Sequence, residues 1–206
     1  MKYLKMLGLA ALAAMALTAF VGAGSASATV LCKTKTTPCT SKWTKGTQIE
    51  FNLTAGTSAL WKTTEGSSIK TCTGGKIKGE ITNEGSATEH VKMKNTEISW
   101  TSCNVATVTV KLGETEFQNI TGTENGTIIL KNAEFTTNDP IFGDCTYGTG
   151  TGTDLGTLTS SATGDALMDI NAQLSPIGGF CCPDVIWQES FTLISPKETP
   201  LFVRPS

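Results

Sequence analysis

The chain consists largely of short stretches in which apolar and polar residues alternate. The clearest of them cover residues 47–53, 76–81, 91–95, 106–112, 126–135, 165–174 and 185–194. A period of two places one row of side chains on each face of a β-strand, and Gly, Asn, Asp and Ser between the stretches indicate turns. We therefore predict an all-β fold of about ten to twelve mostly antiparallel strands, stapled by disulfides. The expected architecture is an antiparallel β-sandwich, with a closed β-barrel as the alternative.

Residues 1–28 have the features of a secretory signal peptide. Lys2 and Lys5 precede an apolar run, and small residues follow it up to Ala28. The run is shorter than the roughly 20 residues of a membrane-spanning helix. We expect cleavage near Ala28 and a single secreted domain at 29–206, located outside the cell or at its surface, where disulfides form.

Charge is distributed unevenly along the predicted mature chain. Residues 29–111 contain eleven Lys and six Glu, a net charge of +5, whereas 112–206 contain two Lys, one Arg and twelve acids, a net charge of −9. Regular strands at 76–81 and 91–95 would turn their aliphatic residues inward. The row left facing outward contains Lys76, Lys78, Lys92 and Lys94.

Three interpretations of these lysines stay open. They form a basic face that binds an anionic envelope polymer, they attract the acidic half of the chain, or they are a solvated face that discourages edge pairing. Nucleic acid is not an expected partner. Arg204 is the sole arginine, and aromatic residues are not interleaved with the lysines.

Residues suited to catalysis are few. His90 is the only histidine, and neither a G-x-S-x-G nor a C-x-x-C motif occurs. A triad hydrolase needs a positioned histidine, and a zinc site needs several His or Cys ligands. We expect no catalytic residue, no metal and no cofactor. The glycines of 147–158 precede no helix, so we expect a flexible hairpin loop there rather than a phosphate-binding loop.

One acid falls at an unusual place. In the segment 185–194, every second residue from Val185 to Leu193 is apolar except Glu189. In a regular strand Glu189 would point into the core, where it must be paired, protonated or next to a cavity, whereas a β-bulge or an edge position would remove the conflict. Two carboxylates in a cleft would support the alternative function, a secreted glycosidase-like hydrolase.

Four tryptophans bear on glycan binding, because exposed aromatic rings offer a stacking surface. Trp100 and Trp187 share rows with aliphatic residues and are expected in the core. Trp43 and Trp61 are the two rings that we expect nearer the surface.

Several segments carry a resemblance that covers nearly the whole mature chain. They are LCKTKTTPC, KGTQIEFNLTAGTSAL, IKTCTGGKIKGEITNEG, GTIILKN, CTYGT and CCPDVIWQESFTLISPKETPLFV. Together they resemble an uncharacterised family of secreted, disulfide-containing, β-rich proteins of soil actinobacteria. The resemblance implies export and a β-rich domain, and it brings no activity, cofactor or binding residue. The chain departs from the family pattern at Ala106, where relatives often have cysteine, and at Glu189, where they usually have a small apolar residue.

Seven cysteines allow 105 arrangements of three disulfides and one free thiol. Cys32 and Cys39 are close enough in sequence to staple a short loop. Two further pairs could bridge neighbouring strands, subject to geometry. These pairs are Cys72 with Cys103 and Cys145 with Cys182.

These pairs leave Cys181 as the free thiol. Relatives often have leucine at this position, whereas Cys182 before Pro183 follows the family pattern. A disulfide between the two neighbours would close a strained ring, which disfavours a redox switch. We expect Cys181 to be buried and inert, as a small apolar residue. The resulting hypothesis is a secreted, non-catalytic binding or structural module whose candidate partner is an anionic envelope polymer or a glycan.

Overall fold

The computed structural model describes residues 29–104, 108–139 and 143–206, so the predicted signal peptide lies outside the described residues. Within these ranges all regular secondary structure is β-strand. The strands are β1 (Thr29–Cys32), β2 (Gln48–Leu53), β3 (Ala59–Thr63), β4 (Ser68–Ile81), β5 (Val91–Cys103), β6 (Val108–Lys111), β7 (Glu114–Asn119), β8 (Gly126–Lys131), β9 (Glu134–Asp139), β10 (Gly143–Gly148), β11 (Thr153–Thr159), β12 (Leu167–Leu174), β13 (Pro176–Gly178), β14 (Val185–Ser195) and β15 (Phe202–Pro205). No helix in this part of the chain has the length and apolar character needed to cross a membrane.

Eight strand positions close into an antiparallel barrel. In order around the barrel, the strands are β12, β11, β8, β7, β5, β4, β2 and β14, and β14 pairs back onto β12. β3 also lies between β4 and β14. It pairs with other residues of these two strands than β2 does. The all-β, antiparallel and disulfide-stapled fold is confirmed, and the closed barrel is the one of the two predicted architectures that forms.

Alternation decides which side chains fill the barrel. Ile77 of β4 and Met93 of β5 are buried, whereas the lysines beside them point outward. On β14 every second residue from Val185 to Leu193 is buried. The period of two in the sequence therefore separates the interior from the outer face, as expected for strands with one buried side.

A second sheet, in the order β13, β10, β9 and β6, continues from the barrel strands. β9 follows β8, β10 precedes β11 and β13 follows β12 after short connections. Phe135 of β9 and Tyr147 of β10 pack against Trp61, with ring centroids 5.7 and 5.8 Å apart. Trp61 also stacks on Trp187 of the barrel at 5.6 Å. The second sheet thus covers the barrel interior with aromatic rings.

A terminal ribbon and three disulfides complete the fold. β1 pairs with β15, so the two ends of the described chain lie side by side. The disulfides join Cys32 to Cys39, Cys72 to Cys103 and Cys145 to Cys182, the same pairs that were considered from the sequence. Such bonds form in oxidising compartments, which indicates an extracellular environment.

Three expectations about exposure and order are wrong. Trp43 and Trp61 are each only 1% exposed, and Trp43 donates a hydrogen bond to the carbonyl oxygen of Pro200. The segment 147–158 contains the end of β10, a turn and most of β11 rather than a hairpin loop, because Tyr147 and Gly148 pair with β9, and Thr153, Thr157 and Leu158 pair with β8. Cys181 is exposed rather than buried, because it lies in the loop after β13, outside the core.

Candidate functional site

Glu189 lies inside the barrel, opposite Ile170 of β12 in a stretch of regular pairing, so no bulge turns it outward. The residue is 4% exposed. Both carboxyl oxygens accept hydrogen bonds from indoles, Oε1 from Nε1 of Trp187 at 2.6 Å and Oε2 from Nε1 of Trp100 at 2.8 Å. The acid is therefore fastened to the aromatic cluster, which consists of Trp61, Trp100, Phe135, Tyr147 and Trp187.

Burial decides the protonation state of this acid. Removal from water raises the pKa of Glu189 to about 8, although the two indole donors act in the opposite direction. Two neutral N–H groups replace only part of the solvation that a carboxylate loses on burial. At neutral pH Glu189 is therefore mostly uncharged, as a polar group in the barrel core.

His90 contacts two side chains that the sequence does not place near it. Its Nδ1 lies 3.3 Å from Oγ1 of Thr29, and its Nε2 lies 3.9 Å from Oε1 of Glu116. Thr29 is fully buried and also accepts a hydrogen bond from the backbone N–H of Asn119. Burial raises the pKa of Glu116, but the ammonium of Lys131 outweighs this and holds it below the ordinary value. Because the hydroxyl is buried and already bonded, this cluster fastens β1 to β7 rather than presenting a nucleophile.

Two of the predicted basic-face lysines are ion-paired across β2, β4 and β5. Nζ of Lys78 lies 3.1 Å from Oε2 of Glu50 and 3.6 Å from Oε2 of Glu97. Nζ of Lys76 lies 3.8 Å from Oε1 of Glu50. The hydrogen bond to Glu50 raises the pKa of Lys78 above its ordinary value. The positive charges of these lysines are therefore partly compensated by acids of the same face.

The other two lysines, on β5, stand opposite acids of β7. Lys92 pairs in register with Glu116, and Lys94 with Glu114. On the β4 side, Lys94 is opposite Glu80. Over β2, β4, β5, β7 and β8 the outward rows thus hold five positive and five negative side chains, which sum to zero. They are Lys76, Lys78, Lys92, Lys94 and Lys131 against Glu50, Glu80, Glu97, Glu114 and Glu116.

The pair formed by Glu50 and Glu97 bears on hydrolase chemistry. Since both contact Nζ of Lys78, the two contacting oxygens are no farther apart than the sum of the two distances, 6.7 Å. That limit overlaps the spacing of roughly 5–9.5 Å between glycosidase carboxylates. Both carboxylates, however, contact the same ammonium. The arrangement has the chemistry of an ion-pair cluster.

Next to this cluster an open groove of about 380 Å³ crosses β2, β4 and β5. The lining residues are Asn52, Leu53, Gly74, Gly75, Lys76, Glu97, Ser99 and Thr101. Of these, only Lys76 is among the binding residues predicted from the sequence. The Gly74-Gly75 pair, in a segment otherwise suited to a strand, is the signal that could have located the groove, because glycine in a strand often marks close access to the backbone.

In the described part of the chain, no group of three or more His, Cys, Asp or Glu side chains could hold a metal ion. No protein-family model, curated protein or solved structure matches this chain. The fold and the site together define a class of protein: a disulfide-stapled, antiparallel β-barrel with an aromatic interior, a polar groove and, over β2, β4, β5, β7 and β8, outward rows of balanced charge.

Proposed function

We propose that this protein is an exported, non-catalytic β-barrel module that binds a cell-envelope polymer or a glycan. The observation that carries the proposal is the filled barrel interior, where the aromatic cluster occupies the space and both oxygens of Glu189 are engaged by indoles. A barrel whose interior is filled by its own side chains offers its outer face to a partner. The three disulfides support export, since they form in oxidising compartments.

The outer face is suited to an extended partner. The groove runs over three neighbouring strands, and amide, hydroxyl and ammonium groups line it. A polymer that lies across such a face makes many individually weak contacts, which suits a surface module better than a deep pocket. The predicted lysine face belongs to the same surface, and its glutamates reduce the attraction that it can exert on an anionic polymer.

Sedimentation with insoluble envelope polymers, together with a glycan array, tests the proposal on the exported protein with its disulfides intact. We expect the protein to be retained by at least one polymer. Lack of retention by every polymer and glycan would contradict the proposal.

Charge reversal of the predicted lysine face tests the anionic-polymer interpretation within the same assay. One variant replaces the four predicted face lysines by Glu, and the matched control replaces four lysines elsewhere. The first set is Lys76, Lys78, Lys92 and Lys94, and the control set is Lys33, Lys42, Lys45 and Lys197. Retention by an anionic polymer that is lost in the first variant alone supports the basic face, whereas unchanged retention in both variants contradicts the basic-face hypothesis.

The spacing of Glu50 and Glu97 favours one second candidate, a carboxylate-dependent hydrolase. It predicts release of reducing ends from a bound polysaccharide, and loss of that release in Glu50→Gln and Glu97→Gln. The non-catalytic proposal predicts no release by the unaltered protein. If the unaltered protein releases reducing ends and each substitution abolishes this release, the hydrolase hypothesis is supported and the non-catalytic module is contradicted.

A further inference from the structure

We infer that the groove over Gly74 and Gly75 is the ligand site of this module, and that it takes a segment of a neutral, polyhydroxylated glycan. The inference rests on the proposed function, because it assigns a site and a ligand class to the proposed module. The volume of about 380 Å³ lies within the roughly 300–1,000 Å³ that is typical of small-molecule sites.

The floor of the groove is bare backbone of β4. Gly74 faces outward, and a Cβ added there would lie 2.2 Å from Oγ1 of Thr101. Gly75 faces inward, where a Cβ would lie 3.3 Å from the ring of Phe191 and 3.4 Å from Cδ1 of Trp100. Neither position can hold a larger residue without displacing a neighbour. Gly74 therefore leaves the floor of the groove without a side chain, and Gly75 leaves room beneath it for Phe191 and Trp100.

The walls offer donors and acceptors side by side. Asn52, Lys76 and Ser99 form one row across β2, β4 and β5, since Lys76 pairs in register with both of the others. Oγ of Ser99 donates to Oε1 of Glu97 at 2.9 Å, and a hydroxyl that donates one hydrogen bond can also accept one. Leu53 adds an aliphatic surface. A sugar ring suits such a lining, because each hydroxyl both donates and accepts and the ring carbons are apolar.

Charge distinguishes a neutral glycan from an anionic polymer at this site. The groove contains one ammonium, Lys76, and one carboxylate, Glu97, and a second carboxylate, Glu50, lies 3.8 Å from that ammonium. An anionic chain would meet these acids at close range and be repelled by them. A neutral chain can use the ammonium as donor and the carboxylates as acceptors without that opposition.

The fluorescence of Trp100 can report ligand binding in the groove. A Cβ on Gly75, which lines the groove, would lie 3.4 Å from Cδ1 of Trp100, and Nε1 of Trp100 donates to Glu189 inside the barrel. A ligand pressed against the floor changes the polarity at the edge of this indole. We therefore expect ligand binding to shift the tryptophan emission of the intact protein.

Affinity electrophoresis tests the assignment. The exported protein is run in gels containing dextran, mannan or xylan as neutral glycans, or polygalacturonate and polyglutamate as anionic polymers, and tryptophan emission is titrated in parallel. The test variant is Asn52→Ala with Ser99→Ala. The matched control is Gln188→Ala with Ser190→Ala, which removes an amide and a hydroxyl from a second groove of about 320 Å³. Circular dichroism confirms that both variants fold.

Retardation by a neutral glycan, weakened about tenfold in the test variant only, supports the assignment, as expected for two lost hydrogen bonds. Retardation by anionic polymers alone overturns the ligand class while the module function stands. Equal affinity of the test variant, or a loss in the control variant alone, overturns the groove. Absence of binding to every polymer overturns both the function and the site.

Discussion

The stability of the barrel should fall as the pH rises through the neutral range, because of Glu189. Its pKa of about 8 in the folded protein lies above its ordinary value of 4.5. Between these values the folded protein binds more protons than the unfolded chain, so the free energy of unfolding decreases with increasing pH and levels off above about pH 8. At about 1.36 kcal/mol for each pH unit, the gap between 4.5 and 8 corresponds to about 5 kcal/mol.

Replacing Glu189 by Gln isolates this contribution, because Gln stays uncharged at every pH. The amide oxygen of Gln can accept from one indole, but its NH₂ group faces the other, which leaves an indole N–H of Trp100 or Trp187 without an acceptor. That loss costs about 1–3 kcal/mol. We therefore expect Glu189→Gln to be less stable than the unaltered protein at pH 5 and more stable at pH 9.

Urea unfolding, followed by tryptophan emission at pH 5, 6, 7, 8 and 9, measures both curves without reductant. Other groups titrate in both proteins, so the difference between the curves reports the Glu189 contribution. Glu65→Gln, at an exposed position, is the matched control and should run parallel to the unaltered protein. A difference for Glu189→Gln that stays constant within about 1 kcal/mol from pH 5 to 9 would refute the reasoning about burial.

Three further predictions concern other parts of the fold. In the native, unreduced protein, iodoacetamide should label Cys181 alone, as read by peptide mass spectrometry, because it is the exposed free thiol; label on any other cysteine contradicts the pairing. Replacing Cys72 and Cys103 together by Ala should lower the free energy of unfolding by about 3–4 kcal/mol, since their bond closes a separation of 31 residues; an unchanged urea midpoint would argue against it. Gly113→Ala should lower the melting temperature by the equivalent of about 1–3 kcal/mol, because a Cβ there would lie 2.0 Å from a backbone oxygen of β8, whereas Gly178→Ala, with ordinary contacts, should not.

The strands with strict alternation are those that the sequence locates well. β2, β5, β8, β12 and β14 fall within or across the predicted stretches, because hydrophobic residues mark their inner rows. β7 escaped notice because its inner row contains Thr115 and Asn119, which hide the period of two. The fold accommodates them through hydrogen bonds, from Thr115 to Oδ1 of Asn95 and from Asn119 to the carbonyl oxygen of Val203.

The charge balance of the outer face could not be read from the sequence for the same reason. Lys92 and Lys94 look like part of a basic row until β7 is placed beside β5, which sets Glu116 and Glu114 opposite them. The alternation singles out Glu189 but leaves open whether it is buried, and its environment depends on the indoles of Trp100 and Trp187 that converge on it. Register, rather than composition, determines these environments.

The pairing of β1 with β15 has a consequence for how the chain reaches its final form. Thr29 lies opposite Pro205, and among the described strands β1 pairs with β15 only. Because β1 and β15 stand at opposite ends of the strand order, this ladder forms only after the other described strands have been synthesised, whereas the contact of Thr29 with β7 can form earlier. Proteolytic removal of β15 would leave β1 without its partner strand. A short linker from β15 to β1 would instead join the two ends of the described chain into a circle.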